Sequence, residues 1–248
     1  MRKLVQAEIY RLLHSGGYMR IMLLTALVMA ILPIVTDFSL LDKTLAETME
    51  TFLMGSNMFI IYLPVVSVLF VTAGYMKKTA YYEVMAGNKT SHIIGSKLLV
   101  DGIGIGTVCF VLATGLEAVV VIKNGSGGVT ELPARMLLFF VICIHVTLLT
   151  VLIGMAVKHF AAAVFLFLRL QLLDMMPAFL VPVLVEKCNL STEAAERILR
   201  CTLTQQLADV FRTDISGEIV ITTVASLVIE VAFWYGIVYW TMKKKMYR

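Results

Sequence analysis

The sequence predicts an all-α, polytopic membrane protein that crosses the bilayer six times. Three observations carry this prediction. The 248 residues are 59% hydrophobic and 15% charged, against about 45–50% and about 25% in soluble domains. Six stretches are long and apolar enough for a spanning helix, which needs roughly 20 largely apolar residues. The cations between those stretches are sorted to one side. A soluble fold of this length has no place to hide so much apolar surface. Five Pro and 16 Gly are too few for a fibrous or disordered chain. The net charge of +4 forms no basic stripe interleaved with aromatics, so nucleic acid is not an expected partner. Membrane lipid is.

The candidate spans cover about 20–36, 56–75, 98–122, 136–157, 160–184 and 217–240. The first follows Arg2, Lys3, Arg11 and Arg20. No small-residue cleavage site follows it, and five more spans do, so it reads as a retained helix rather than a signal peptide. With the N-terminus inside, the inner segments 1–20, 76–97, 158–159 and 241–248 carry 13 Lys and Arg. The outer segments 37–55, 123–135 and 185–216 carry 7. By the positive-inside rule both termini then face the cytoplasm of a cell membrane. Lys243, Lys244 and Lys245 anchor the tail against anionic lipid. The whole chain is one transmembrane domain, without a long repeat or a linker.

Three segments outside the spans carry pattern. In residues 3–15, Leu4, Val5, Ile9, Leu12 and Leu13 fall on one half of a helical wheel. Lys3, Gln6, Arg11 and His14 fall on the other. That is an amphipathic helix able to lie in the headgroup plane, ended by Gly16-Gly17. The inner loop 76–97 is the only one of its side long enough to fold. Residues 79–86 make two helical turns, Gly87-Asn88 stops them, and Thr90 or Ser91 caps the helix that follows. On the residues alone this loop is either a docking knob for a cytoplasmic partner or a lipid-facing positive loop. The outer segment 185–216 has Ser191 as N-cap and Glu193 in the first turn of a short helix, with a second over 203–212, so it caps the outer face.

Other residues suggest chemistry at particular places. Cys109 and Cys143 lie in apolar stretches as packing residues, whereas Cys188 and Cys201 share one polar outer loop and could form a disulfide there. Asp101 and Glu117 lie near the ends of span three and are expected to reach an interface. His145, Arg169, Asp174 and Glu230 are deeper. A charge at that depth costs about 2.5–3.5 kcal/mol on insertion scales and needs a partner or water. Gln171 and Asp174 share a face; Arg169 and Asp174 do not. Two readings stay open. Arg169 pairs with Glu230, within the chain or across a dimer, or these groups with His145 and Gln171 line a polar path. Pro177 and Pro182 are expected to break the end of span five. Gly102, Gly104 and Gly106 provide small-residue spacing for close helix packing.

Taken together, these features resemble the permeases of type-two ABC exporters. The resemblance lies in size, six spans, an amphipathic elbow helix, and an outer helical segment between spans five and six. Its local core is Tyr82-Glu83 followed by a polar turn and Lys97-Leu98-Leu99. Short members that export, or give immunity to, peptide antibiotics have this length. The resemblance implies a coupling helix between spans two and three, using Tyr82, Glu83, Gly87, Asn88, Lys89, Thr90, Ser91, His92 and Lys97 to dock an ATPase subunit. It implies a homo- or heterodimer with a second permease chain. ATP and Mg would bind the partner ATPase, and no cofactor would bind this chain. Gly87-Asn88-Lys89-Thr90 lacks the glycines and the Gly-Lys pair of a phosphate-cradling loop, so the chain is expected to be no enzyme. No metal site is expected. The alternatives are an ion- or proton-coupled carrier using His145, Asp174 and Glu230, and an intramembrane enzyme, for which no catalytic motif is present.

Overall fold

The chain, seen in a computed structural model, is described over residues 1–76, 79–129, 131–157, 159–188, 191–211 and 217–246. Within these, the side chains of 19, 29–30, 36, 50, 53–54, 56–61, 75–76, 79–81, 169–175, 178, 184, 188, 192 and 245–246 are not described. The fold is all-helical, 89% helix, with no strand among the described residues. In order, the helices are α1 Arg2–His14, α2 Gly16–Thr36, α3 Leu45–Met76, α4 Thr79–Met85, α5 Thr90–Lys97, α6 Ile105–Asn124, α7 Leu132–Val157, α8 Phe160–Cys188, α9 Thr192–Arg200, α10 Leu203–Val210 and α11 Gly217–Met246. A 3-10 turn, Leu40–Asp42, lies between α2 and α3, and a π-helical stretch, Leu98–Gly104, joins α5 to α6.

Among the described residues, four helices are long and apolar enough to cross a membrane: Gly16–Val35, the continuous rod Thr90–Asn124, Leu132–Val157 and Gly217–Lys244. Such apolar helices are compatible with a membrane protein. The other two expected spans fall on α3 and α8, whose side chains are described only in part. Many exposed apolar residues sit on these rods, among them Leu23, Ile31, Val111, Ile221, Ile229 and Phe233. In water, a bare apolar surface of this extent would drive association.

Helix α7 forms the centre. It packs against α3, α6, α8, α10, α11 and the π stretch, and 67% of its apolar window is buried. Gly102 and Gly106 set how closely α6 approaches it. A Cβ on Gly102 would stand 2.5 Å from Leu148 Cδ2, and one on Gly106 would stand 2.7 Å from Thr147 Oγ1. The small-residue spacing therefore serves packing, as its period suggested. Gly104 points away from α7, with ordinary room around it.

Several local expectations need correction. Helix α1 ends at Ser15 in extended backbone, and Gly16 already begins α2. Its docked face holds Leu4, Glu8 and Leu12, while Ile9, Tyr10 and Leu13 are exposed. The buried stripe is thus rotated from the centre of the apolar arc toward Arg11. Pro177 and Pro182 do not break α8, which runs unbroken to Cys188. A proline removes one backbone donor, and neighbouring turns carry the helix past it. The stop after α4 is as read: Gly87 has φ 81°, and Asn88 Nδ2 donates to Glu83 O at 2.9 Å. Lys89, not Thr90 or Ser91, stands at the N-cap of α5, without a side-chain cap bond. On the outer segment, Ser191 accepts from Ala194 N at 3.3 Å and Thr202 caps α10 the same way.

Candidate functional site

Four charged side chains meet where α1 crosses the start of the α5–α6 rod. On the wheel, Leu4, Glu8, Arg11 and Leu12 share one stripe, so the two apolar residues press α1 down and carry the charges with them. Lys97 Nζ lies 2.5 Å from Glu8 Oε1. Arg11 Nε lies 2.7 Å from Glu8 Oε2. Arg11 Nη2 then donates to both oxygens of Asp101, at 3.0 and 3.2 Å. Its Nη1 donates to Phe70 O at 3.2 Å, and Gly74 leaves the room: a Cβ there would come within 2.9 Å of Nη1. Glu8, Lys97 and Asp101 are 4%, 2% and 0% exposed.

Two cations and two anions alternate in this chain, so its formal charge is zero. Buried ions are tolerated where they are paired and hydrogen-bonded, and removing one partner leaves an uncompensated charge. Asp101 sits inside the π stretch. The extra residue per turn there is a local departure from the α ladder that often accompanies functional positions.

Glu83 of α4 faces the same group. Burial raises its pKa above the usual carboxylate range; Lys97 and Arg11 pull it down, and Glu8 pushes it up. Its Oε2 is buried without a hydrogen-bond partner among the described residues. The opposite face of α4 is open, with Tyr82 and Met85 exposed, and Ser91 and His92 are exposed on α5. Gly87 and Lys89 are exposed between them. Of the nine residues expected to dock a partner, Thr90 and Lys97 are buried. Lys97 is committed to Glu8 and is not available to another chain.

A second polar pair stands at the middle of the bundle. His145, the fourteenth residue of α7, and Glu230, the fourteenth of α11, approach to 3.2 Å between Nε2 and Oε2. Glu230 therefore has His145 as its partner; the side chains of Arg169, Gln171 and Asp174 lie outside the described residues. His145 is 3% exposed and its Nδ1 has no hydrogen-bond partner among the described residues, while the Glu230 side chain is 46% exposed.

At the other end, Glu117 and Arg135 line a cavity of about 30 Å³ with Leu45, Leu132 and Phe211, room for one or two waters. Both are buried, and Arg135 Nη1 donates to Val210 O at 2.7 Å. Asp101 and Glu117 thus do not reach an interface, contrary to expectation. Each is buried inside the bundle, Asp101 because Arg11 is brought to it. Cys201 has a free thiol whose Sγ lies 3.3 Å from Arg197 O. Cys188, its expected disulfide partner, has a side chain outside the described residues. Among the described residues no three His, Cys, Asp or Glu side chains gather to hold a metal.

Reasoning from sequence missed Glu8 altogether and placed Arg11 on the water face. A carboxylate flanked by Leu4 and Leu12 at spacings of four is the signal that could have found it, since an acid on an apolar stripe needs a buried cation. The chain matches no protein-family model, no curated protein and no solved structure.

Proposed function

We propose that this chain is the membrane-spanning permease subunit of an ATP-driven exporter of the cell membrane. In this reading α2, α3, the α5–α6 rod, α7, α8 and α11 are six spans, and both termini lie in the cytoplasm. Helix α1 is the elbow helix, α4 the coupling helix, and α9 with α10 cap the outer face. A separate cytoplasmic ATPase holds ATP and Mg, and a second permease chain completes the path for a hydrophobic or peptide-like substrate. The sorting of Lys and Arg supports the orientation.

The observation that carries the reading is the ionic chain at the α1–α5 crossing. A coupling element must have an open side for its partner and a firm connection to the spans. Helix α4 has both: Tyr82 and Met85 are open, and the helix packs on α3 and α5, with Glu83 within electrostatic reach of Lys97, Glu8 and Arg11. Arg11 in turn holds Asp101 in the π stretch at the base of a 35-residue rod. A push on α4 from a closing ATPase would pass through its packing on α3 and α5 to the ionic chain, whose own charges cannot separate cheaply.

The test is purification of the tagged chain from its native membranes in mild detergent. A soluble P-loop ATPase should accompany it. Replacing Glu83 with Ala, or deleting residues 86–92, should leave the chain inserted but uncouple ATP hydrolysis from transport. Cysteine labelling that reaches position 88 only from outside, or transport without nucleotide, would sink the proposal. The mid-span His145–Glu230 pair favours one other reading, a proton-coupled carrier, which a proton gradient alone would drive.

A further inference from the structure

The His145–Glu230 pair plays no part in the coupling described above, and its two halves face opposite environments. His145 is sealed within the bundle, whereas the Glu230 carboxyl is half open at the middle of a 30-residue helix. Helix α11 is open around it: Phe233 is exposed on the neighbouring part of the face, Val228 and Ile229 are exposed further round the helix, and only 11% of its apolar stretch is buried inside the chain. A carboxylate at that depth is costly unless a partner or a cation offsets its charge.

We propose that Glu230 anchors a binding site for lipophilic organic cations that enter sideways from the apolar surroundings of the bundle. Residues three and four places on along a helix lie on the same side. Those are Phe233 and Trp234, whose rings meet edge to face with centroids 5.9 Å apart. Phe233 is exposed and Trp234 packs in part against the core, and a carboxylate one turn from two such rings is the chemistry that selects a bulky, weakly hydrated cation, by charge and by cation–π attraction. A bare metal ion is a poor fit, because it needs several oxygen or nitrogen ligands and, among the described residues, only His145 and Glu230 converge here. His145 acts as a positioning residue: its Nε2 holds one carboxylate oxygen, leaving the other for the ligand. Binding requires no ATPase, so this site and the exporter reading fail or stand independently.

The test uses the purified full-length chain in nanodiscs of zwitterionic lipid, with tetraphenylphosphonium as probe and its isosteric anion tetraphenylborate as control. Tetraphenylphosphonium should bind saturably and quench Trp234, which is the single tryptophan left in Trp240→Phe. Glu230→Gln should weaken binding by about tenfold or more, equivalent to about 1.4 kcal/mol. Glu230→Asp should restore part of that loss, and Glu193→Gln, on the exposed face of α9, should change nothing. On the unaltered chain, dicyclohexylcarbodiimide should modify Glu230, and tetraphenylphosphonium should protect it. Equal affinity in Glu230→Gln, equal saturable binding of the anion, or absence of carbodiimide protection would each overturn the proposal. So would a second copy of the chain covering α11, which would keep both probes from Glu230.

Discussion

Replacing Lys97 with Met keeps the length of the side chain and removes its charge from a site that is 2% exposed. Glu8 then loses its 2.5 Å partner and keeps only Arg11, which must also neutralise Asp101. The four-group chain goes from zero to one net negative charge. Breaking a buried pair by removing one partner costs about 3–5 kcal/mol. Arg11 is 26% exposed at its side chain and supplies some compensation, which points to the lower end, about 3 kcal/mol. For a chain of this length each kcal/mol moves the melting temperature by about 2–4 °C, so a fall of about 6–12 °C is expected. The assay is thermal unfolding in detergent micelles, followed by circular dichroism, for Lys97→Met, Glu8→Gln and the double variant. The double variant removes both charges and should fall short of the summed single losses by about 1–3 kcal/mol. Strict additivity would show that the two groups do not interact, and the electrostatic account of the α1–α5 crossing would be wrong.

Two further outcomes follow from the geometry. Burial holds the Glu83 pKa above its unfolded value of 4.5. Its contribution to stability is therefore full below that value and is lost as pH rises through the folded pKa. Glu83→Gln should thus melt higher than the parent near neutral pH and no higher at pH 4; a constant difference across that range would refute the burial effect. Gly106→Val should destabilise by about 1–3 kcal/mol through overpacking against Ile144 and Thr147. Gly104→Val, where the nearest atom is 3.8 Å away, should cost clearly less in the same unfolding assay, and equal losses would mean that α6 does not pack on α7 as described.

Much of the helical layout was legible because it rests on local pattern. Apolar runs marked α2, α6, α7 and α11, Gly87-Asn88 marked the end of α4, and Ser191 marked the start of α9. Those signals act within a few residues. The charged site was not legible in the same way, because its logic is non-local. Asp101 reads as a residue near a membrane surface until Arg11, 90 positions earlier in the chain, is brought against it. The α1 helix misled for a related reason. An apolar arc says that a helix will be half buried, but it does not say which part of the arc meets protein. Here the edge bearing Glu8 and Arg11 docks, and Ile9 and Leu13 are left outside. Glu230 shows the converse. Its need for a partner was evident from depth alone, yet finding His145 beside it required knowing that α7 and α11 are neighbours.

The position of α7 bears on how the chain is assembled. It is the most apolar of the four candidate spans and the one least exposed at the end of folding. Its greasiness is therefore of little use for meeting lipid in the finished bundle. If the chain is inserted into a bilayer as proposed, it matters earlier, when the helix leaves the insertion machinery before α8 and α11 exist to shelter it. During that interval the imidazole of His145 has no carboxylate beside it, and the surrounding leucines, isoleucines and valines must keep the segment in the bilayer until its last neighbour is made.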